Sequence, residues 1–297
     1  FKQAHPHLRL ILSGRKAGPA GVPGTVLVQC KHFGLPPHPN RLLTRLPLNA
    51  GLTEPPLNTG RWERWSHYAS RIALLVGGTS RSHEITPDDA RHLAREASAF
   101  AARENASLLV VGSRRSEAIM DAIQEGLAAD DICYRWRPDD PENPYSMALQ
   151  DADLLIVTGE SESMLADAAS RGQGFMIWPT PQKTGGAWHR FCTQIAQCAV
   201  RPRFNRRGSI RPQQGQTYLC ARALERGWIL PPRNIEVLHE QLMEDGLAAA
   251  FGHPVPTSFK EYRNNEIEAV VENAAALLNI PLNNLQADEL PRESHEH

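Results

Sequence analysis

The chain has 297 residues, a length that suggests about two domains. Its hydrophobic residues (41%) and charged residues (22%) occur at ordinary levels for a globular protein and exclude bulk disorder. A formal net charge of -1 argues against a nucleic-acid-binding protein that works by bulk electrostatics. No apolar run reaches the roughly 18 residues that a transmembrane helix needs.

Residues 1–66 contain two short apolar runs, at residues 8–12 and 25–29, followed by a Pro-rich stretch at residues 34–39. This is too little sequence for a complete domain. We therefore predict a partial, reduced α/β domain whose first half is absent or rebuilt.

Residues 67–200 alternate short apolar runs with amphipathic segments, a pattern typical of a parallel sheet covered on both faces. The pattern predicts that Val76, Val111 and Val157 end adjacent parallel strands. Thr86 and Pro87 mark a helix start, because threonine is a good N-cap and proline suits the first turn.

For residues 201–285 we predict a helical region that packs on a cleft between the N-terminal domain and the domain at residues 67–200. Its expected helices cover residues 217–227, 235–250 and 265–278. The polar tail at residues 286–297 is expected to be disordered.

The cysteines are few and scattered. Their number, five, is odd, and no C-x-x-C pair occurs. This usage predicts a reducing compartment and no structural zinc. Residues 1–15 also lack the apolar core of a signal peptide. The expected location is the cytoplasm, with a peripheral position on a membrane as an open alternative.

Polar and glycine residues follow three of the predicted strands, at the carboxyl edge where open parallel sheets bind ligands. They are Gly77, Gly78, Thr79 and Ser80 after the first strand, Arg114 and Arg115 after the second, and Ser161 and Ser163 after the fourth. Each group has an ordinary explanation: a tight turn, a solvated pair or a helix cap. Together they predict a rim that binds a diphosphate, because backbone amides, arginine forks and a helix N-terminus all favour phosphate.

Other nucleotide and metal motifs are absent from the sequence. No G-x-G-x-x-G follows a strand, and no Walker A motif occurs. Asp151 and Asp153 match the D-x-D pattern of some metal-dependent sugar transferases, but they precede a strand and should point away from the rim. We therefore expect no metal site and no cofactor.

The order and spacing of these motifs resemble the mitochondrial-fission family named for the plant "elongated mitochondria" protein. The matching segments are residues 77–81, 112–116, 142–145 and 152–164, with looser similarity at residues 13–15 and 32–40. The resemblance implies a GT-B-like architecture, in which two Rossmann-like domains face each other across a cleft and the C-terminal one binds the nucleotide.

The resemblance also suggests roles for individual residues. Asp167 corresponds to a glutamate that holds the nucleotide ribose in similar transferases, and Glu160 corresponds to a family aspartate. Both are departures from the family pattern. His32 is the candidate catalytic base, because histidine titrates near neutral pH. The remaining candidates for the cleft are Arg15, Asn143, Tyr145 and Glu160.

Three functions remain open. The first is a metal-independent glycosyltransferase with a nucleoside-diphosphate sugar as donor. Its acceptor is left open, with a lipid-linked or envelope glycan at the membrane surface as one candidate. The second is a non-catalytic partner-binding protein on the same fold, which the two departures favour. The third is another nucleotide-sugar enzyme, such as a hydrolysing epimerase. Nucleic acid is not an expected partner.

Overall fold

The structure of the protein is a computed structural model, and it describes residues 5, 7–14, 21–35, 38–48, 60–201, 203–204, 206–207, 210–255 and 265–280. Arg15 and the predicted disordered tail lie outside the described residues.

The chain forms two compact units, each built from separate stretches of sequence. The small unit comprises Phe1–Thr44, Cys192–Pro231 and Asn264–His297, and the large unit comprises Arg45–Phe191 and Pro232–Arg263. The predicted division used consecutive segments instead, so residues 201–285 are shared between the two units.

Strands and short or long helices alternate along most of the described chain. The strands are β1 (Leu10–Ser13), β2 (Thr25–Cys30), β3 (Arg41–Thr44), β4 (Arg71–Val76), β5 (Ser107–Gly112), β6 (Ile132–Tyr134), β7 (Leu154–Thr158), β8 (Phe175–Trp178), β9 (Arg203–Phe204), β10 (Ile210–Arg211) and β11 (Ala248–Ala250). The α-helices are α1 (Glu63–Ser66), α2 (Pro87–Arg103), α3 (Met120–Gly126), α4 (Tyr145–Asp151), α5 (Glu162–Ser170), α6 (Ala187–Ala199), α7 (Gln216–Glu225), α8 (Ile235–Glu244) and α9 (Asn265–Leu278).

The small unit is built on a three-stranded parallel sheet in the order β1-β2-β3, with β9 and β10 as a separate antiparallel pair. Helix α9 covers the sheet, since Ala274 and Leu278 pack with Val26 in one apolar cluster. The predicted partial N-terminal domain is therefore completed by a helix that lies more than 200 residues further along the chain.

The large unit contains a six-stranded sheet in the order β11-β8-β7-β4-β5-β6, and every neighbouring pair is parallel. Leu75 lies opposite both Val111 and Val157, so β5 and β7 flank β4 on its two sides. The predicted parallel sheet with Val76, Val111 and Val157 near the ends of adjacent strands is confirmed. The fold is mixed α/β with parallel sheets, as the sequence indicates.

Both faces of the large sheet are covered by apolar side chains. Along β4, Ala73 and Leu75 enter one core, while Ile72, Leu74 and Val76 enter the other. A strand buried on both faces needs an unbroken apolar run rather than an alternating one, and this explains the sequence of β4.

Helix α2 starts where the sequence predicts it, at a complete capping box. The Thr86 hydroxyl accepts a hydrogen bond from the Asp89 amide (3.2 Å), and the Asp89 carboxylate accepts one from the Thr86 amide (2.9 Å). Pro87 occupies the first turn, where its missing amide hydrogen has no intrahelical partner to lose.

The predicted helix over residues 235–250 is wrong in its last part. Helix α8 ends at Glu244, because Gly246 takes a left-handed φ of 72° that closes the helix. Ala248–Ala250 then pairs with Phe175–Ile177 of β8 and extends the sheet as β11. Helix α4 is not among the helices expected from the sequence.

Candidate functional site

The candidate site lies in the large unit, on the loops that follow β4, β5 and β7. The Gly77 amide donates a hydrogen bond to the Thr158 hydroxyl (2.8 Å), and the Ser113 hydroxyl donates one to the Gly77 carbonyl (2.6 Å). These bonds join the three loops at the carboxyl edge of the sheet, hereafter called the rim. The structure thus brings together the segments that the sequence singled out.

Two glycines are required at the rim because neighbouring loops approach their backbone closely. A Cβ atom added at Gly77 would lie 2.6 Å from the Cβ of Ser161. A Cβ atom added at Gly78 would lie 2.6 Å from the backbone nitrogen of Ser116, and Gly78 also has a φ of +91°. Any side chain at either position would push the loops apart.

Arg115 crosses the rim to the N-terminus of α5. One guanidinium nitrogen, Nη2, donates a hydrogen bond to the Ser161 hydroxyl at 3.0 Å. Ser161 is the N-cap residue of α5, yet its side chain makes no capping hydrogen bond to the first turn. A cation thus lies beside the positive end of the helix dipole, and this combination favours an anion between the two.

Arg114 differs from its neighbour. Both arginines are exposed, but Arg114 makes no hydrogen bond to the described part of the chain. Ser163, on the first turn of α5, is also exposed. Among the residues that the structure describes, Arg115 is thus the one of the two predicted phosphate-binding arginines whose side chain bonds another rim residue.

Glu160 is the buried carboxylate of the rim. Its Oε2 accepts a hydrogen bond from the Thr180 hydroxyl (2.7 Å), and its Oε1 lies 3.1 Å from the Thr158 hydroxyl. Burial raises the pKa of Glu160 above its ordinary value, although these hydrogen bonds and the charge of Arg115 favour the ionised form. Sequence reasoning missed Thr158 and Thr180 as partners, although both lie at or just after the ends of adjacent strands.

Asp167 and Tyr145, two predicted cleft residues, bind each other. The Tyr145 hydroxyl donates to Asp167 Oδ2 at 2.7 Å, and the Tyr145 amide donates to the Asn143 side chain at 3.0 Å. Burial, together with the negative charge of Asp167, raises the pKa of Tyr145. The tyrosine therefore remains a neutral hydrogen-bond donor to Asp167.

The remaining residues of the first rim loop form a local turn. The Ser80 amide donates to the His83 carbonyl (2.9 Å), and the Ser80 hydroxyl accepts from the His83 amide (3.1 Å). The Lys183 ammonium, which sequence reasoning did not consider, donates to the Ser80 carbonyl at 3.2 Å. Thr79 is half-buried in this turn. The Ser80 hydroxyl thus acts as an acceptor within this turn.

His32, the predicted catalytic base, belongs to the small unit. It lies in a short 3-10 turn after β2, with 1% of its surface exposed, and its ring meets Phe33 edge-on at a centroid distance of 4.7 Å. A general base must reach the proton that it removes. The role of His32 stays a prediction, and it would require an opening beside this turn.

Asp153 lies at the opposite edge of the large sheet. Its carboxylate accepts hydrogen bonds from the backbone amide (2.8 Å) and the guanidinium (3.3 Å) of Arg71, at the amino ends of β7 and β4. For Asp153, the prediction that this residue points away from the rim is confirmed. Within the described ranges, no group of three or more histidine, cysteine and acidic side chains is arranged to hold a metal ion.

Comparison with known proteins identifies the family. The sequence profile of the family described as "Mitochondrial fission ELM1" matches residues 28–228, more than half of the chain. Among solved structures, the crystal structure of Acinetobacter baumannii MurG is similar at 11% identity and a TM-score of 0.37, covering 94% of this chain and 70% of that one. A search of curated proteins finds no match. The chain belongs to the mitochondrial fission ELM1 family.

Proposed function

We propose that the protein is a metal-independent glycosyltransferase that binds a nucleoside-diphosphate sugar at the rim of its large unit. The observation that supports this most is the placement of Arg115 and the Ser161 hydroxyl at the N-terminus of α5, over the two glycines of the first loop. Family membership and the parallel α/β sheets agree with the GT-B-like architecture that the sequence resemblance implies.

In this proposal the diphosphate lies between Arg115 and the first turn of α5. The Arg115 guanidinium and the Ser161 hydroxyl, which now bond each other, would both turn to phosphate oxygens. Charge on the leaving diphosphate would be neutralised by the arginine fork and the helix N-terminus, the task that a metal ion performs in other transferases. The Asp167–Tyr145 pair would hold the ribose.

A second function is a partner-binding protein without catalysis. Arg115 and Ser161 bond each other, as do Tyr145 and Asp167, without any ligand. Contacts of this kind within the protein favour a structural role for these side chains. The two functions differ in whether nucleoside diphosphates bind at all.

The test is calorimetric titration with UDP and with GDP in the presence of EDTA. We expect binding by the wild type, and a loss of affinity on the order of tenfold to a hundredfold in Arg115→Ala, because a charged hydrogen bond to phosphate is lost. Arg114→Ala is the matched control: it removes the same charge one residue away, and should lose much less affinity.

Three outcomes decide between the functions. Equal affinity of wild type and Arg115→Ala would disprove the diphosphate assignment. Absence of binding of either nucleotide by the wild type would favour the partner-binding function. Where binding is found, incubation with nucleotide sugars distinguishes transfer to an acceptor from release of the free sugar.

A further inference from the structure

Helix α7 of the small unit exposes apolar side chains to solvent. Tyr218 is 49% exposed and Leu219 is 66% exposed, whereas Leu224 is buried. Single exposed apolar residues are normal on any protein. Here, however, Tyr218 and Leu219 are adjacent on a short helix, and Trp228, just after the helix, is 69% exposed. The three side chains form an exposed apolar patch that does not contribute to the core.

Arginines lie on the same side of this helix. An α-helix turns 100° per residue, so Tyr218, Leu219, Arg222 and the C-cap residue Arg226 fall within about 100° of its circumference. The Arg222 guanidinium lies over the Tyr218 ring at 5.4 Å, and that of Arg226 lies over the Trp228 ring at 5.0 Å. These five residues are hereafter called the basic-aromatic face.

The surrounding sequence is strongly basic. Residues 200–230 contain seven arginines and one acidic residue, Glu225, although the whole chain has a formal net charge of -1. Glu225 forms an ion pair with Arg222, so the stretch keeps an excess of six arginines over acidic residues. Val200 and Phe204 add further exposed apolar surface, and the Gln213 side chain ties this stretch to α6 through the Ala199 carbonyl.

We propose that the basic-aromatic face docks on the surface of an anionic lipid bilayer. Aromatic rings prefer the headgroup level of a membrane, where the apolar body of the ring and its polar edge are both satisfied. Arg226, beside Trp228, can extend its charged end to a lipid phosphate while its stem covers apolar surface, whereas Arg222 is paired with Glu225. Leu219 adds an aliphatic side chain that reaches the acyl boundary.

The same observations favour a bilayer over a single-stranded nucleic acid. Bases stack on aromatic rings, so a nucleic-acid site gains little from an exposed aliphatic side chain such as Leu219. On this face, moreover, arginines already cover the Tyr218 and Trp228 rings. The surface lies wholly within the small unit, so the inference does not depend on the nucleotide site of the large unit.

Co-sedimentation of the full chain with lipid vesicles tests the proposal. We expect binding to phosphatidylcholine vesicles that contain about one third phosphatidylglycerol, little binding to pure phosphatidylcholine, and release as salt is raised. In Leu219→Gln/Trp228→Gln the partition coefficient should fall on the order of tenfold, because two inserted side chains are lost.

Matched variants separate this face from general surface properties. Tyr218→Gln should weaken binding, whereas Tyr68→Gln, which changes a tyrosine that is 47% exposed in the large unit, should not. Arg226→Gln should weaken binding, whereas Arg103→Gln, which changes an arginine over the Phe100 ring at 5.6 Å, should not. All four side chains are at the surface, so melting temperatures should stay within a few degrees of the wild type.

Several results would overturn the proposal. They are absence of binding to anionic vesicles, equal binding to neutral and anionic vesicles, and equal losses in test and control variants. Binding of a single-stranded RNA oligonucleotide that the face variants abolish, without vesicle binding, would assign the face to nucleic acid instead.

Discussion

The two units bury different kinds of residue in sheets of the same parallel type. The central strand of the large sheet, β4, is apolar from Ile72 to Val76. In the small sheet, β2 and β3 bury Gln29 and Arg41, and the Arg41 Nε donates to Gln29 Oε1 at 2.7 Å. Gln29 in turn donates to the Gly14 carbonyl at 3.1 Å.

This difference shows where each unit holds its polar groups. In the large unit Thr158, Glu160 and Ser161 are polar residues buried at or just after the carboxyl end of β7, while β4 is apolar from Ile72 to Val76. In the small unit a polar pair lies within neighbouring strands. Burial lowers the pKa of Arg41, whereas the charge of Glu225 raises it. A buried arginine of this kind depends on its hydrogen-bond partners.

The largest effect is expected from the apolar core of the large unit. Leu75→Ala removes a fully buried side chain from the middle of β4 and leaves a cavity that the surrounding sheet cannot close. The free energy of unfolding should fall by about 3–5 kcal/mol. Chemical denaturation checks this, with Leu75→Met as the volume-conserving control that should lose less than about 1.5 kcal/mol. A loss near zero would mean that β4 is not central to the stability of the large unit.

A smaller effect is expected from the polar pair of the small unit. Gln29→Leu leaves the Arg41 Nε without its side-chain acceptor, at a cost of about 1–3 kcal/mol. Gln29→Glu keeps an acceptor and should cost less. Hydrogen exchange of the β2 amides measures this locally. If the β2 amides of both variants were protected as well as those of the wild type, the pair would not order the small sheet.

The apolar strands of the large sheet could be predicted because each is a continuous run bounded by glycine or a polar residue. Strand β11 could not be predicted, because alanine favours helices. Ala248–Ala250 forms a strand by pairing with β8 at the edge of the sheet. The small sheet needs α9, which no local pattern associates with residues 25–44.

The candidate site was predicted at the level of loops but not of contacts. Glycine and serine after apolar strands located the rim, since parallel strands end at one edge. The sequence did not indicate that Arg115 rather than Arg114 would meet Ser161, because both lie in the turn after β5, whose backbone sets the direction of each side chain. The burial of His32 was also not predictable, because it depends on the packing around its turn rather than on its neighbours in sequence.

The pH dependence of the large unit should come partly from Glu160. Its pKa is raised on folding, so the folded state binds more protons than the unfolded state between the ordinary pKa of glutamate, about 4.3, and the raised one. Stability should therefore fall as pH rises through this window and stay level above it. The charge of Arg115 acts on the Glu160 carboxylate, while its neighbours Thr158, Thr180 and Ser161 are neutral.

Glu160→Gln should remove this part of the pH dependence. Melting temperatures at a series of pH values from 4 to 8 compare the two proteins, and the wild-type curve should fall relative to that of the variant as pH rises. Glu84→Gln, a change to an exposed carboxyl in the same unit, is the control. Parallel curves for wild type and Glu160→Gln would mean that the burial of Glu160 does not raise its pKa.

The smallest effect should come from the cap of α2, which separates local order from packing in the large unit. Thr86→Ala removes the hydroxyl that accepts from the Asp89 amide, and Thr86→Ser keeps it. We expect a loss of about 1 kcal/mol for alanine and only a few tenths for serine, because Leu93 and Ala97 still pack on the sheet. Urea denaturation of both variants measures the difference. A loss of unfolding free energy as large as that of Leu75→Ala would mean that the first turn, and not apolar packing, stabilises α2. Apolar burial would then not be what distinguishes the large unit from the small one.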